Sequence, residues 1–200
     1  MYKNHKNKLW FILYVIIIGG ATAILSVISD NLQFIYLDGP ITTSRFIVSY
    51  LAIMFNSLPI WFLLAMITGR IFGKNIKSAA IYSTIYTLTS ITIYFVIGSS
   101  YSGGPNILAL GLKSLAYVLI TWYGASVLGG FLGGIIGFVF RSKPYVLLIF
   151  PAGVILQLCI NGTHAWEDRL GIAQSITYCL MLVISLWYFY ILNKKKVNSD

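Results

Sequence analysis

Residues 9–29 read LWFILYVIIIGGATAILSVIS, a run in which no residue carries a charge. A helix that crosses the hydrocarbon core of a bilayer needs about 20 mostly apolar residues. Backbone polar groups in lipid must be satisfied inside the segment, so such a run forms a helix. Ala21-Thr22-Ala23 resembles a signal-peptide cleavage site, but the apolar run continues through Ile28, which favours a retained helix. The segment therefore predicts a membrane-spanning helix near the start of the chain.

The rest of the chain repeats this pattern. Of its 200 residues, 58% are hydrophobic and 10% are charged, whereas soluble domains carry about 25% charged residues. Apolar runs predict six spans, at residues 9–29, 46–69, 78–98, 114–140, 145–160 and 170–192. We therefore predict an all-α polytopic bundle of six transmembrane helices that forms one domain, residues 1–200, and faces the lipid bilayer.

The basic residues decide the orientation of these spans. Most of the 14 lysines and arginines lie in alternate segments, namely Lys3, Lys6, Lys8, Arg70, Lys74, Lys77, Arg141, Lys143, Lys194, Lys195 and Lys196. The intervening segments hold only Arg45, Lys113 and Arg169. Because short cytoplasmic segments carry the excess of Lys and Arg, we predict that both termini are cytoplasmic. Topology thereby explains the net charge of +9, which does not indicate nucleic acid as a partner.

The third span carries hydroxyl groups at helical spacing. Ser83, Thr87, Ser90 and Tyr94 share a face, and Tyr86 lies beside them. Ser and Thr side chains form hydrogen bonds between packed membrane helices, which favours a structural role. The second interpretation is a polar lining for a solute path, with Tyr86 and Ser90 as ligand-binding residues. Both interpretations direct this face into the bundle.

Small residues recur on the fourth and first spans. Ala125, Gly129, Gly133 and Gly137 follow one another at a spacing of four residues. This small-xxx-small pattern lets two helix backbones approach closely. Gly19 and Ala23 form a shorter version in the first span. We expect these residues to pack helices together, either within the chain or against another protein.

The second and fifth spans contain helix interruptions. Asn56, Ser57 and Pro59 lie in the middle of the second span, and Pro151 and Gly153 lie in the fifth. Each is the middle helix of one half of the predicted six-helix chain. Paired interruptions in corresponding helices mark midplane binding sites in some transporters, although proline kinks are also common as structural features.

The outer end of the fifth span is dense in polar residues. Gln157, Asn161 and His164 follow at spacings that place them on one face if the helix continues past Gly162. Trp166 and Glu167 come directly after. The functional interpretation is a solute site at the outer mouth, where polar groups orient the ligand and Trp166 stacks on it. The alternative is an ordinary polar loop between two spans.

The sequence offers no set of catalytic residues. His5 is predicted to be cytoplasmic and His164 external, so the two histidines cannot share a site. There is no HExxH zinc motif and no GxSxG nucleophile elbow. We expect a protein that is not an enzyme and that holds neither a cofactor nor a metal. ATP dependence, if there is any, would come from a partner.

Two resemblances extend this interpretation. The segment from Asn56-Ser57-Leu58-Pro59-Ile60-Trp61 to Ala65, ending in Gly69, resembles the second span of a family of small six-span bacterial membrane proteins of uncharacterised function. The basic turn into Ser78-Ala79-Ala80 and the glycine-rich fourth span follow in the same order. This resemblance implies a location in the bacterial plasma membrane and supplies no activity.

Length, six spans, internal termini and small residues in the first span are also similar to the substrate-binding subunits of energy-coupling-factor vitamin transporters. In that family a small-residue motif in the first helix docks a membrane coupling subunit, which works with an ATPase. The resemblance implies that Gly19 and Ala23 form this docking motif, and that a solute binds near the outer face.

The sequence therefore supports two functional hypotheses. The first is a subunit that binds or transports a small solute together with a partner, using Asn161, His164 and Trp166. The second is a non-transporting accessory protein, an immunity, regulatory or assembly factor that acts through helix packing at Gly129, Gly133 and Gly137.

Overall fold

A computed structural model of the chain describes residues 2–32, 42–100, 111–167 and 169–197. These ranges contain helices, turns and short connections, and no strand occurs in them. The all-α prediction is therefore confirmed.

The described residues form eight α-helices in chain order: α1 Tyr2–Tyr14, α2 Gly20–Asp30, α3 Thr43–Phe55, α4 Leu58–Phe72, α5 Ile76–Ser100, α6 Leu112–Val139, α7 Ile149–Asn161 and α8 Arg169–Val197. A π-helical turn, Val15–Gly19, joins α1 to α2. Two 3-10 turns, Pro144–Leu148 and Thr163–Trp166, come before and after α7.

Several of these helices are long and apolar enough to cross a membrane. The five individual candidates in the described ranges are Asn7–Asp30, Ile76–Ser100, Leu112–Val139, Pro144–Asn161 and Arg169–Lys194. A sixth exists if α3 and α4 count together as one span. The structure thus agrees with a multi-pass membrane protein and with five of the predicted spans to within a few residues.

The predicted interruption in residues 46–69 is present, and it breaks this segment into two helices. α3 and α4 are bent by 66° relative to each other at a break between Phe55 and Leu58. Ser57 has an extended backbone (φ −92°, ψ 142°), and Pro59 lies in the first turn of α4. Proline suits a helix start because it lacks an N–H group, so α4 begins anew here and does not continue α3.

The paired interruption in the fifth span is of a different kind. Pro151 lies in the first turn of α7, directly after the 3-10 turn that ends at Leu148. Pro144–Asn161 is long and apolar enough to cross a membrane as a single span, whereas the α3–α4 pair is sharply bent. The two predicted interruptions are therefore not equivalent in the structure.

Close backbone packing joins α4, α5 and α6. A Cβ atom built on Gly133 would lie 2.8 Å from the Ala65 Cβ, and one on Gly137 would lie 2.7 Å from the Met66 carbonyl carbon. Both glycines therefore face α4. In the described part of the chain, no atom of another helix lies within 4 Å of a Cβ built on Gly129, and Ala125 is exposed. Of the four predicted small residues, Gly133 and Gly137 therefore pack inside the chain, whereas Ala125 and Gly129 face outward.

Gly19 and Ala23 face the interior. A Cβ on Gly19 would lie 2.6 Å from the Ser90 Oγ, and Ala23 is fully buried. These two residues therefore pack the first helix within this chain.

The bundle has two chemically distinct ends. At the first, called the lysine-rich end, an Arg141 N–H group donates to the backbone carbonyl of Arg70, and Lys8 and Lys74 lie nearby. Asp30 lies at the opposite end, because it is the last residue of the span that begins at Asn7. We call this the Asp30 end.

Candidate functional site

The polar side chains of α5 divide between two faces of the helix. One face of α5 packs along α1 and α2. It carries four residues at a spacing of four, namely Tyr82, Tyr86, Ser90 and Tyr94. Their respective neighbours are Phe11, Tyr14, Gly19 and Asp30. Ser83 and Thr87 point elsewhere, so the single hydroxyl face predicted from the sequence is in fact two.

Ser83 and Thr87 connect α5 to its other neighbours. The Ser83 hydroxyl donates to the carbonyl of Ala65 in α4 at 2.8 Å, and the Thr87 hydroxyl donates to the carbonyl of Ser126 in α6 at 2.7 Å. Hydrogen bonds between membrane helices of this kind fix packing partners. On this face the hydroxyls have the structural role.

The interface between α2 and α5 encloses a polar seam, which consists of Thr22, Ser26, Tyr86 and Ser90, all fully buried. Thr22 donates to the Ile18 carbonyl at 2.8 Å, and Ser90 donates to the Tyr86 carbonyl at 2.9 Å. The Ser26 Oγ and the Tyr86 Oη have no hydrogen-bond partner among the described residues. Buried polar atoms are normally paired, so these two hydroxyls require an explanation such as water or a ligand.

Asp30 lies at the end of this seam, beside the break between α3 and α4. The Asn56 Nδ2 donates to one carboxylate oxygen at 2.8 Å, and the Tyr94 hydroxyl donates to the other. Asn56 is also the C-cap residue that directly follows α3. The carboxylate therefore joins α2, the helix break and α5, while Asp30 itself remains exposed.

Asn31 adds a buried amide to this region. Asn31 is 4% exposed, and its Nδ2 donates to the Val27 carbonyl at 2.8 Å. The Asn31 Oδ1 is buried and has no hydrogen-bond partner in the described part of the chain. We call Asp30, Asn31, Asn56 and Tyr94 together the Asp30 site.

The chemistry of the Asp30 site favours a cationic group. An ionised carboxylate accepts hydrogen bonds at about four lone-pair positions, and Asn56 and Tyr94 occupy two. The C-terminal end of α3 contributes the negative end of its helix dipole. Membrane proteins that bind solutes use broken helices in this way, with helix ends directed at charged groups. The remaining acceptor positions of Asp30 therefore suit an ammonium group.

The polar residues predicted at the outer mouth form two local pairs. The Gln157 Nε2 donates to the Asn161 Oδ1 at 2.7 Å, and the His164 Nδ1 lies 3.0 Å from the Glu167 Oε1. α7 ends at Asn161 because Gly162 has a positive φ of 58°, so His164 does not continue the helical face of Gln157 and Asn161.

This second group is open to its surroundings. The side chains of His164 and Glu167 are 87% and 66% exposed, and Trp166 is 49% exposed. Of the predicted ligand-binding residues, only Tyr86 and Ser90 lie in the buried seam. Gln157, Asn161, His164, Trp166 and Glu167 lie at the end of α7, which packs against α4 and α8.

The sequence patterns did not predict Asp30 as a site residue, because it directly follows the predicted span 9–29. A signal was present, since Thr22, Ser26 and Asp30 follow at a spacing of four on the first span. Asn56 was recognised only as an interruption. Within the described ranges no group of three His, Cys, Asp or Glu residues is arranged to hold a metal ion.

No protein-family model, curated protein or solved structure matches the chain.

Proposed function

We propose that this chain is a multi-pass membrane protein that binds a small solute carrying an ammonium group at the Asp30 site. The observation that carries the proposal is the Asp30 carboxylate, which Asn56 and Tyr94 hold at the break between two helices. The buried hydroxyls of Ser26 and Tyr86 lie along the α2–α5 interface below it and support a path for the solute or for water.

The proposal includes an orientation in the bacterial plasma membrane. The lysine-rich end is cytoplasmic by the positive-inside rule, and both termini lie on that side when the α3–α4 pair counts as one of six spans. The Asp30 site then opens to the outside. A solute from outside would reach the carboxylate without first crossing the hydrocarbon core.

We also propose that the chain acts with a coupling subunit and an ATPase. The docking surface, however, is not the one expected at Gly19 and Ala23. Gly19 and Ala23 are covered by other parts of this chain, Gly19 by Ser90. A coupling subunit would therefore bind a different surface. The outward face of α6 at Ala125 and Gly129 permits close approach of another helix.

The accessory hypothesis has less support from the packing. Gly133 and Gly137, two of the three glycines on which it relies, contact α4 of the same chain. A role through helix packing with another protein would depend on Gly129 alone of these three. The solute-binding proposal therefore takes precedence.

Solute binding can be tested on the full chain in lipid nanodiscs. A panel of amino acids, polyamines and quaternary amines is screened by thermal shift, and the affinity of each hit is measured by calorimetry. We expect at least one amine to bind the wild type, and Asp30→Asn to weaken that binding by about ten-fold to 100-fold. This factor corresponds to about 1.5–3 kcal/mol for a lost charged hydrogen bond.

Glu167→Gln is the matched control, because it also neutralises an exposed carboxylate of the described region. It should keep the wild-type affinity. Loss of binding in Glu167→Gln with retention in Asp30→Asn would move the site to the turn of His164 and Trp166. The absence of any hit in the wild-type screen would contradict amine binding and favour the accessory role.

A further inference from the structure

The lysine-rich end contains a pocket that the proposed function does not use. Its volume is about 770 Å³, and it lies between α1, the ends of α4 and α6, and the start of α5. Lys8, Lys74 and Arg141 contribute three cationic groups to its lining, and no acidic residue of the described ranges lines it. The pocket therefore favours an anionic occupant.

The three cations lie at one level of the bundle, where spans end. Lys8 is the second residue of the span Asn7–Asp30, Lys74 follows the end of α4 by two residues, and Arg141 follows the end of α6 by two residues. Ends of membrane spans lie at the depth of the lipid headgroups. The cations are thus placed where phosphate groups are concentrated.

The apolar wall extends from these cations into the depth of the membrane. Trp10, Leu13, Ile17 and Ile18 line the pocket along the first helix. At 1.5 Å per residue, the distance along this helix from Lys8 to Ile18 is about 15 Å. This is half of a hydrocarbon core about 30 Å thick, which is the depth that one acyl chain occupies in a single leaflet.

The open side of the pocket permits entry from the bilayer. Trp10 is 59% exposed and Ile17 is 61% exposed, so this wall is not covered by other parts of the described chain. Ile17 and Ile18 belong to the π-helical turn Val15–Gly19, which widens the helix locally. Turns of this kind occur frequently at functional sites.

Other contacts fix the turn that carries Lys74 and the guanidinium group of Arg141. The Ser78 Oγ accepts from the backbone N–H groups of Lys74 and Asn75 at 2.8 and 3.0 Å, and the Asn75 Oδ1 accepts from the Ser78 N–H at 2.8 Å. This reciprocal cap fixes the turn that carries Lys74. Arg141 uses one of its five N–H donors on the Arg70 carbonyl, and its guanidinium lies 5.1 Å from the Phe138 ring centroid.

We infer that this pocket binds an anionic phospholipid, with the phosphate at Lys8, Lys74 and Arg141 and an acyl chain along Leu13 and Ile17. Basic pockets between membrane helices on one side of the bilayer recognise anionic headgroups. A small soluble anion would use the cations alone and leave the apolar wall without an occupant. The combination of headgroup charge and acyl-length wall therefore selects a lipid.

The experiment is native mass spectrometry on the purified full chain in mild detergent. Phosphatidylglycerol and phosphatidylcholine with identical acyl chains are added in equal amounts. The wild type should retain phosphatidylglycerol preferentially and bind it more tightly. The double variant Lys8→Gln/Lys74→Gln should weaken phosphatidylglycerol binding by about ten-fold or more.

Lys77→Gln/Lys143→Gln is the matched control. Both lysines belong to the lysine-rich segments and are exposed, but neither lines the pocket, and the change in net charge is the same. The control should bind phosphatidylglycerol like the wild type. An equal loss in both double variants would show a general charge effect and overturn the site.

Three further outcomes would also overturn the inference. Equal retention of both lipids by the wild type would show that the headgroup charge is not recognised. Displacement of phosphatidylglycerol by millimolar inorganic phosphate would assign the pocket to a soluble anion. A second protein that co-purifies with the chain and is released when the lipid is added would assign the pocket to a protein partner.

In the supported case the lipid raises the unfolding temperature of the wild type and the control, and not that of Lys8→Gln/Lys74→Gln.

Discussion

Gly137→Ala should destabilise the protein by about 1–3 kcal/mol, the usual cost of inserting a methyl group into a well-packed site. The added Cβ would overlap the Met66 carbonyl group and lie 2.7 Å from its carbon atom. The carbonyl group belongs to the backbone of Met66, and it cannot rotate away as a flexible side chain does. α4 and α6 must therefore separate, which weakens neighbouring contacts such as that of Gly133 with Ala65. The measurement is reversible unfolding in mixed micelles with increasing denaturant.

Gly129→Ala is the control for this substitution. It makes the same chemical change in the same helix, but no atom of another described helix lies within 4 Å of the added Cβ. Since alanine favours a helix over glycine by about 1 kcal/mol, this variant should be as stable as the wild type or slightly more stable. Equal effects of the two substitutions would contradict the close contact between α4 and α6. Gly137→Leu should extend the series to a chain that does not reach the folded state.

Tyr86→Phe should stabilise the protein, by about 1–3 kcal/mol, because it removes a buried polar group that lacks a partner. Tyr86 is fully buried, and its hydroxyl has no hydrogen-bond partner among the described residues. Thr22 and Ser90 lie close to it, but neither oxygen accepts a hydrogen bond from the Tyr86 hydroxyl in the described structure. The unfolding free energy of the variant in micelles measures this effect.

Tyr178→Phe tests the opposite case. Tyr178 is also fully buried, but its hydroxyl accepts a hydrogen bond from the Gln174 Nε2 at 3.1 Å. Removing that hydroxyl should lower the stability by about 0.5–1.5 kcal/mol. A loss of stability in Tyr86→Phe as well would mean that water or a solute pairs with the Tyr86 hydroxyl. In that case the same variant should also weaken amine binding at the Asp30 site.

The arrangement of α5 shows where sequence reasoning reached its limit. Spacing placed Ser83, Thr87, Ser90 and Tyr94 on one face, but Ser83 bonds to α4 while Tyr94 bonds to Asp30. Soluble helices reveal their buried face by its apolarity. In lipid both faces of a helix are apolar, since the hydrocarbon is as apolar as leucine, and the pattern does not identify the packed face.

The glycines of α6 follow the same rule. The sequence predicted close approach at Ala125, Gly129, Gly133 and Gly137, because the absence of a side chain is a local property. It did not determine the partner, which depends on how α4 crosses α6. The structure gives Gly133 and Gly137 a partner within the chain, while Gly129 has none among the described residues.

The local chemistry of the sequence determined the all-α class, the helices that are long and apolar enough to cross a membrane, and the end at which the basic residues gather. Transfer of each segment into lipid depends on its own composition, and the chain therefore contains that information in consecutive residues. Only the tertiary structure decided that α3 and α4 bend by 66°, that Asp30 meets Asn56 and Tyr94, and that Lys8, Lys74 and Arg141 share a pocket. These features join residues far apart in the chain, and their positions follow from helix crossings that no local pattern specifies.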